Sequence, residues 1–92
     1  SGVGLHITLD QNVLTVIAPI PGSPAARAGV APWDRVVEID GKTTENMTLL
    51  EAVKKLTGPP GSSVKIKVFR EGETDMLEFT LVRDTIHVDS VF

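Results

Sequence analysis

The chain has 92 residues, 41% of them hydrophobic and 23% charged, with no cysteine, which suits one small globular domain and excludes a disulfide frame or a thiolate zinc site. Nine basic against twelve acidic residues leave a net charge of −3, and without a basic cluster neither nucleic acid nor an anionic lipid surface is an expected partner. No apolar run reaches the roughly 20 residues of a membrane span, and no charged-then-apolar signal-peptide pattern opens the chain.

Val3, Leu5, Ile7 and Leu9 alternate with Gly4, His6 and Thr8, the period of two that predicts a strand with one buried face. After the turn residues Asp10-Gln11-Asn12, the β-branched run Val13-Leu14-Thr15-Val16-Ile17 completes a hairpin that ends at Pro19, Pro21 and Gly22. Ser23 has the chemistry of a helix N-cap, Pro24 suits the first helical position, and Gly29 suits a left-handed stop. A short helix is expected between them. Pro32-Trp33-Asp34 turns into the apolar strand Arg35-Val36-Val37-Glu38-Ile39, closed by Asp40-Gly41.

A second helix is predicted from about Leu49 to Thr57. Thr48 and Glu51 have the spacing of a capping box, Lys54 and Lys55 sit near the negative end of the helix dipole, and Gly58-Pro59-Pro60-Gly61 stops the helix. Val64, Ile66 and Val68, then Leu77, Phe79 and Leu81, alternate with polar residues around a Glu71-Gly72 turn, predicting a second hairpin. Ile86 and Val88 read as an extended continuation. About five strands with two interposed helices describe an α+β domain, its curved antiparallel sheet plugged by helices.

The sequence contains no catalytic constellation. His87 and Asp89 share one side of a strand, but a metal needs three or four convergent ligands, and a His-x-Asp pair more often faces solvent. No serine stands in a Gly-x-Ser-x-Gly elbow. Glu71 and Glu73 lie in a turn, where solvent leaves both ionised and neither poised as an acid. Asn46-Met47-Thr48 matches a glycosylation sequon only formally, because Thr48 already has a capping role. Gly2-Val3-Gly4 fails as a dinucleotide fingerprint, since the third glycine falls on Ile7. No cofactor and no metal is expected.

Gly2-Val3-Gly4-Leu5 opens directly into a strand, and its two glycines let the amides of Val3, Gly4 and Leu5 point at one place as an anion-binding nest. Val3, Leu5 and Ile7 share one strand face, and Leu49, Val53 and Leu56 present an apolar stripe at helical spacing. If strand and helix lie side by side, they form an apolar groove ending in amide donors. Such a groove takes a polypeptide C-terminus, with the carboxylate on the nest and the backbone added as an extra strand. The alternative is that both stripes pack against each other as core and that the glycines form an ordinary turn.

Gly2-Val3-Gly4-Leu5 resembles the Gly-Leu-Gly-Phe carboxylate-binding loop of PDZ domains. Ser23-Pro24-Ala25-Ala26-Arg27-Ala28-Gly29, with the run from Pro32 to Gly41, resembles bacterial members of that family. Thr48 to Val64, Arg70-Glu71-Gly72 and Phe79 to Asp84 are similar to the groove helix and last strands of the PDZ domain in carboxy-terminal processing proteases. The resemblance covers nearly the whole chain, with five modest motifs in the right order. It implies a PDZ-like, partly open antiparallel β-barrel of about five strands capped by two helices, in a circularly permuted bacterial topology with the strand near Leu77 to Val82 last.

The resemblance also implies roles. The amides of Val3, Gly4 and Leu5 would bind the peptide carboxylate, and Val3, Leu5, Ile7, Val53 and Leu56 would line the pocket for the final side chain. Leu49, where some PDZ domains place His, would favour an apolar residue two before the end. The domain is expected over residues 1–84, with 85–92 a linker toward a protease domain carrying a Ser/Lys dyad. The opening at Ser1 without Met and the end at Val91-Phe92 read as a segment of something longer. This fragment would not itself be an enzyme: it would capture substrate C-termini, delivering or gating them for an exported protease in the bacterial periplasm or cell envelope. The competing reading is a scaffold or assembly PDZ domain of an envelope protein without protease activity. Leu5 replaces the family's Phe. Trp33 replaces its usual Gly, for which a type I turn is expected, with the indole either exposed for contact with the protease domain or partly buried at the far end of the groove. Arg27 and Arg83 are candidates for contact with another domain.

Overall fold

The computed structural model describes residues 2–84; the expected linker 85–92, including His87 and Asp89, lies outside the described residues. β1 (Leu5–Asp10) and β2 (Val13–Pro19) form the first hairpin. Gln11 and Asn12 both take positive φ, 51° and 66°, the left-handed pair that matches the twist of a two-residue hairpin loop. α1 (Pro24–Ala28) starts as its sequence requires, with Ser23 Oγ accepting from the Ala26 amide at 3.2 Å, and stops at left-handed Gly29.

β3 (Arg35–Ile39) turns through Asp40 and Gly41, again both at positive φ, into a strand that periodicity did not reveal, β4 (Lys42–Thr43). Two residues are too few for a pattern of two to register. α2 (Leu49–Leu56) carries the full capping box: Thr48 Oγ1 accepts from the Glu51 amide at 3.1 Å, and Glu51 Oε1 accepts from the Thr48 amide at 3.4 Å. β5 (Ser63–Phe69) and β6 (Leu77–Val82) close the fold as an antiparallel pair.

The six strands form one antiparallel sheet in the order β1-β2-β3-β5-β6, with β4 on β3. Its inner face supplies the core, including Leu5, Leu14, Val16, Ile39, Ile66 and Leu81, over which Ala52 and Leu56 of α2 are buried. The two outer ends of the sheet come together beyond the strands. Gly2 and Asp84 exchange both backbone hydrogen bonds, at 3.1 and 2.9 Å, which turns the open sheet into a partly closed barrel. Among the described residues no helix is long and apolar enough to cross a membrane.

The turn before β3 differs from expectation. Trp33 does not sit in a type I turn; its φ is +71° and its side chain is 67% exposed, so it is not buried at the groove's far end. Long-range bonds hold this conformation against its cost of about 1–2 kcal/mol. The Trp33 amide donates to Val16 O at 2.7 Å, and Asp34, 1% exposed, accepts from the Ala31 amide at 3.0 Å and from Arg70 Nε and Nη2 at 2.8 and 2.7 Å. The Asp34 hydrogen bonds, opposed in part by desolvation, push the Arg70 pKa above its ordinary value.

Candidate functional site

The segment 2–5 is fixed through its carbonyls. Gly2 O accepts from the Asp84 amide at 2.9 Å, Val3 O accepts from the Ala25 amide at 2.9 Å, and Gly4 O accepts from the Ile20 amide at 2.8 Å and from Ser23 Oγ at 3.4 Å. A trans peptide unit points its N–H opposite to its C=O. The Gly4 and Leu5 amides are therefore turned away from α1 and β2, and the Val3 amide away from Asp84. Among the described residues, no backbone carbonyl or side chain accepts from the Val3 or Gly4 amide.

The register of β1 extends the same geometry along the strand. Leu5 lies opposite Pro19 while Ile20 donates to Gly4 O, so Leu5 is a pair that exchanges no hydrogen bond with β2. Its N–H and C=O therefore point away from β2, toward the edge of β1 that pairs with no other described strand, although Leu5 itself has no exposed surface. An edge with outward-facing backbone groups is a template for one more strand. The amides of residues 3–5 are thus turned from the bonds that hold the carbonyls before them, and β1 has no other described strand on its far edge.

The side chains expected to line the pocket are deeper than the sequence suggested. Val3, Leu5 and Leu56 have no exposed surface and Ile7 has 7%, whereas Leu49 and Val53 are half-buried and packed against that core. All six expected pocket residues therefore belong to one apolar cluster, with Leu49 and Val53 at its surface and the other four beneath. Ala52, which the stripe of Leu49, Val53 and Leu56 left out, is fully buried.

Two side chains that position this site were read differently from sequence. Ser23 is the cap of α1, yet it is also buried against Gly4 and bonded to its carbonyl. Arg83 is not a free cation for another domain. Its guanidinium crosses to the C-terminal end of α2, donating to Leu56 O at 3.0 Å and Lys55 O at 2.9 Å, and to Ser62 Oγ at 3.0 Å. These bonds occupy carbonyls that the end of a helix leaves without partners. Arg27 donates to Gly22 O. His6 is half-buried on β1, and among the described residues no three His, Asp or Glu gather into a set able to hold a metal.

A family model described as a PDZ domain matches residues 15–70. The chain belongs to the PDZ family. The PDZ domain here is 39% identical over 90 residues to the carboxy-terminal-processing protease of Bartonella bacilliformis, covering 98% of this chain and 21% of that protein. It superimposes on the photosystem II D1 C-terminal processing protease with a TM-score of 0.88 and 29% identity, covering 96% of this chain and 24% of that one. The PDZ domain of the carboxy-terminal protease of Vibrio cholerae, solved in complex with a peptide, matches with a TM-score of 0.86 and 26% identity, over 95% of this chain and 96% of that one. The chain thus spans about a fifth of the curated relative and nearly all of an isolated PDZ domain.

Proposed function

We propose that this PDZ domain captures apolar protein C-termini for a carboxy-terminal processing serine protease of which it forms part. The observation that carries this reading is the anchoring of three consecutive carbonyls, those of Gly2, Val3 and Gly4, which leaves the following amides directed away from the fold. The amides of Val3, Gly4 and Leu5 take the terminal carboxylate, and the peptide backbone adds to β1. Val3, Leu5, Ile7, Val53 and Leu56 receive the last side chain, and Leu49 favours an apolar residue two positions earlier. The catalytic Ser/Lys dyad belongs to the protease domain outside this chain, and the bound C-terminus is delivered to it or gates it. The expected setting is the bacterial periplasm or cell envelope.

Because Val3, Leu5 and Leu56 are fully buried, a ligand side chain enters only as Leu49 and Val53 draw back. That rearrangement opposes binding, so the affinity for a short peptide is about micromolar or weaker. The test is a titration of the isotopically labelled chain with a peptide ending in Ala or Val, as the free acid and as the C-terminal amide. The acid is expected to shift amide signals over residues 3–8 and 49–56, and the amide to bind about tenfold or more weakly. Equal responses to both peptides, or shifts elsewhere, would overturn the carboxylate reading.

A further inference from the structure

At the other end of β5 from the Gly2–Asp84 bridge lies a cleft of about 610 Å³ lined by Trp33, Arg35, Phe69, Thr15, Asp10 and Glu71. β5 starts at Ser63, opposite Val82 and two residues from Asp84, and runs to Phe69 in the cleft. At about 3.3 Å per residue, its length places roughly 20 Å between the two ends. The cleft shares no residue with the peptide groove.

Three features mark the cleft as a built surface. Trp33 is displayed by a left-handed turn that the Asp34–Arg70 bridge and the Val16 carbonyl hold in place, and a bulky residue at positive φ is rare enough to suggest a role. Phe69, 39% exposed, stands directly opposite Arg35 across the β3–β5 ladder. Arg35 is exposed and, among the described residues, makes no ion pair or side-chain hydrogen bond. Two aromatic side chains lining one cleft with an unpaired guanidinium have the composition of an interface centre rather than of an ordinary solvated face.

The size of the patch selects the kind of partner. A Trp and a Phe together bury about 300–500 Å² when fully covered, against about 800 Å² on each side of a free-standing complex. A patch this small holds a partner that is already tethered, because a short connection supplies an effective concentration in the millimolar range. We infer that Trp33, Phe69 and Arg35 dock a surface of the same polypeptide outside these 92 residues, one presenting an apolar side chain to the rings and a carboxylate to Arg35. The inference rests on the reading of this chain as part of a longer protease, whose curated relative has about four-fifths of its length outside the matched region.

Hydroxyl-radical footprinting read by mass spectrometry tests the docking, comparing the full-length protein with the 92-residue chain against a co-dissolved reporter peptide. Trp33 and Phe69 are expected to oxidise about tenfold more slowly in the full-length protein, as a docked fraction of roughly nine in ten requires. Arg35→Glu in the full-length protein is expected to abolish that protection, while the same substitution in the 92-residue chain leaves peptide binding at the groove unchanged. Equal oxidation of Trp33 in both proteins overturns the inference, as does protection unaffected by Arg35→Glu. Protection that grows with the concentration of the 92-residue chain also overturns it, since the occupant is then a second copy. Protection in a full-length protein that cleaves no substrate upholds the docking and removes the protease reading instead.

Discussion

Ser23 occupies the space that a side chain on Gly4 would need: a Cβ built at Gly4 falls 2.2 Å from Ser23 Cβ and 2.4 Å from its Oγ. Gly4 also has φ of +85°, where any L side chain is strained. Gly4→Ala is therefore expected to cost about 2–4 kcal/mol and to displace the amides of residues 3–5. Denaturant unfolding measures the loss. Adding Ser23→Gly should recover part of it by removing the overlap, and a double variant no more stable than Gly4→Ala would show that the clash is not the cause.

Arg83 joins the end of α2 to the strand that leads into the Gly2 bridge. Replacing it with Met keeps much of the apolar stem but leaves the Leu56 and Lys55 carbonyls without their donors. A loss of about 2–3 kcal/mol is expected, with amide shifts concentrated in residues 53–57 and at Ser62. Unchanged stability would remove Arg83 as the clamp on α2.

Asp34 and Arg70 make a two-pronged bridge whose carboxylate is almost wholly buried. Arg70→Met strands that carboxylate and should destabilise the domain by about 3 kcal/mol. In the native chain Arg70 has its pKa raised, chiefly by its hydrogen bond to Asp34. Its contribution is therefore complete below the unfolded value and lost only as pH rises through the still higher folded one. Stability measured from neutrality to about pH 11 should show no decline attributable to this residue; a midpoint near pH 9 that disappears in Arg70→Met would contradict the assignment.

Val53 is half-buried on α2, so Val53→Glu should leave the fold intact while, in the proposed binding mode, placing a negative charge beside the peptide carboxylate. Peptide affinity should fall about tenfold or more. Calorimetry against the free-acid peptide, with circular dichroism as a control for folding, checks this; native affinity in a folded variant would move the pocket elsewhere.

What the sequence made legible was mostly local. Period-two patterns located β1, β5 and β6, a β-branched run located β2, and the Thr48–Glu51 spacing located the start of α2 to the residue. β4 was too short to carry a pattern. The left-handed Trp33 went unseen because its support comes from Arg70, 36 residues beyond Asp34. Arg83 was misread for the same reason, its partners on α2 being 27 and 28 residues away. In the segment 2–5, two glycines indicated where amides turn, but not that Ile20, Ser23, Ala25 and Asp84 hold the carbonyls behind them. The depth of Val3 and Leu5 was likewise hidden, since alternation gives the face of a strand and not what covers it.

The reciprocal bonds between Gly2 and Asp84 also say how such a domain fits inside a larger polypeptide. The two ends of the described fold stand one strand spacing apart, about 5 Å. A host loop need open only by that width to admit the entire cassette, at little cost in closure entropy. Cutting out residues 2–84 and rejoining the flanks with a residue or two should accordingly leave the host's own architecture unstrained, as when a drawer is lifted from its frame.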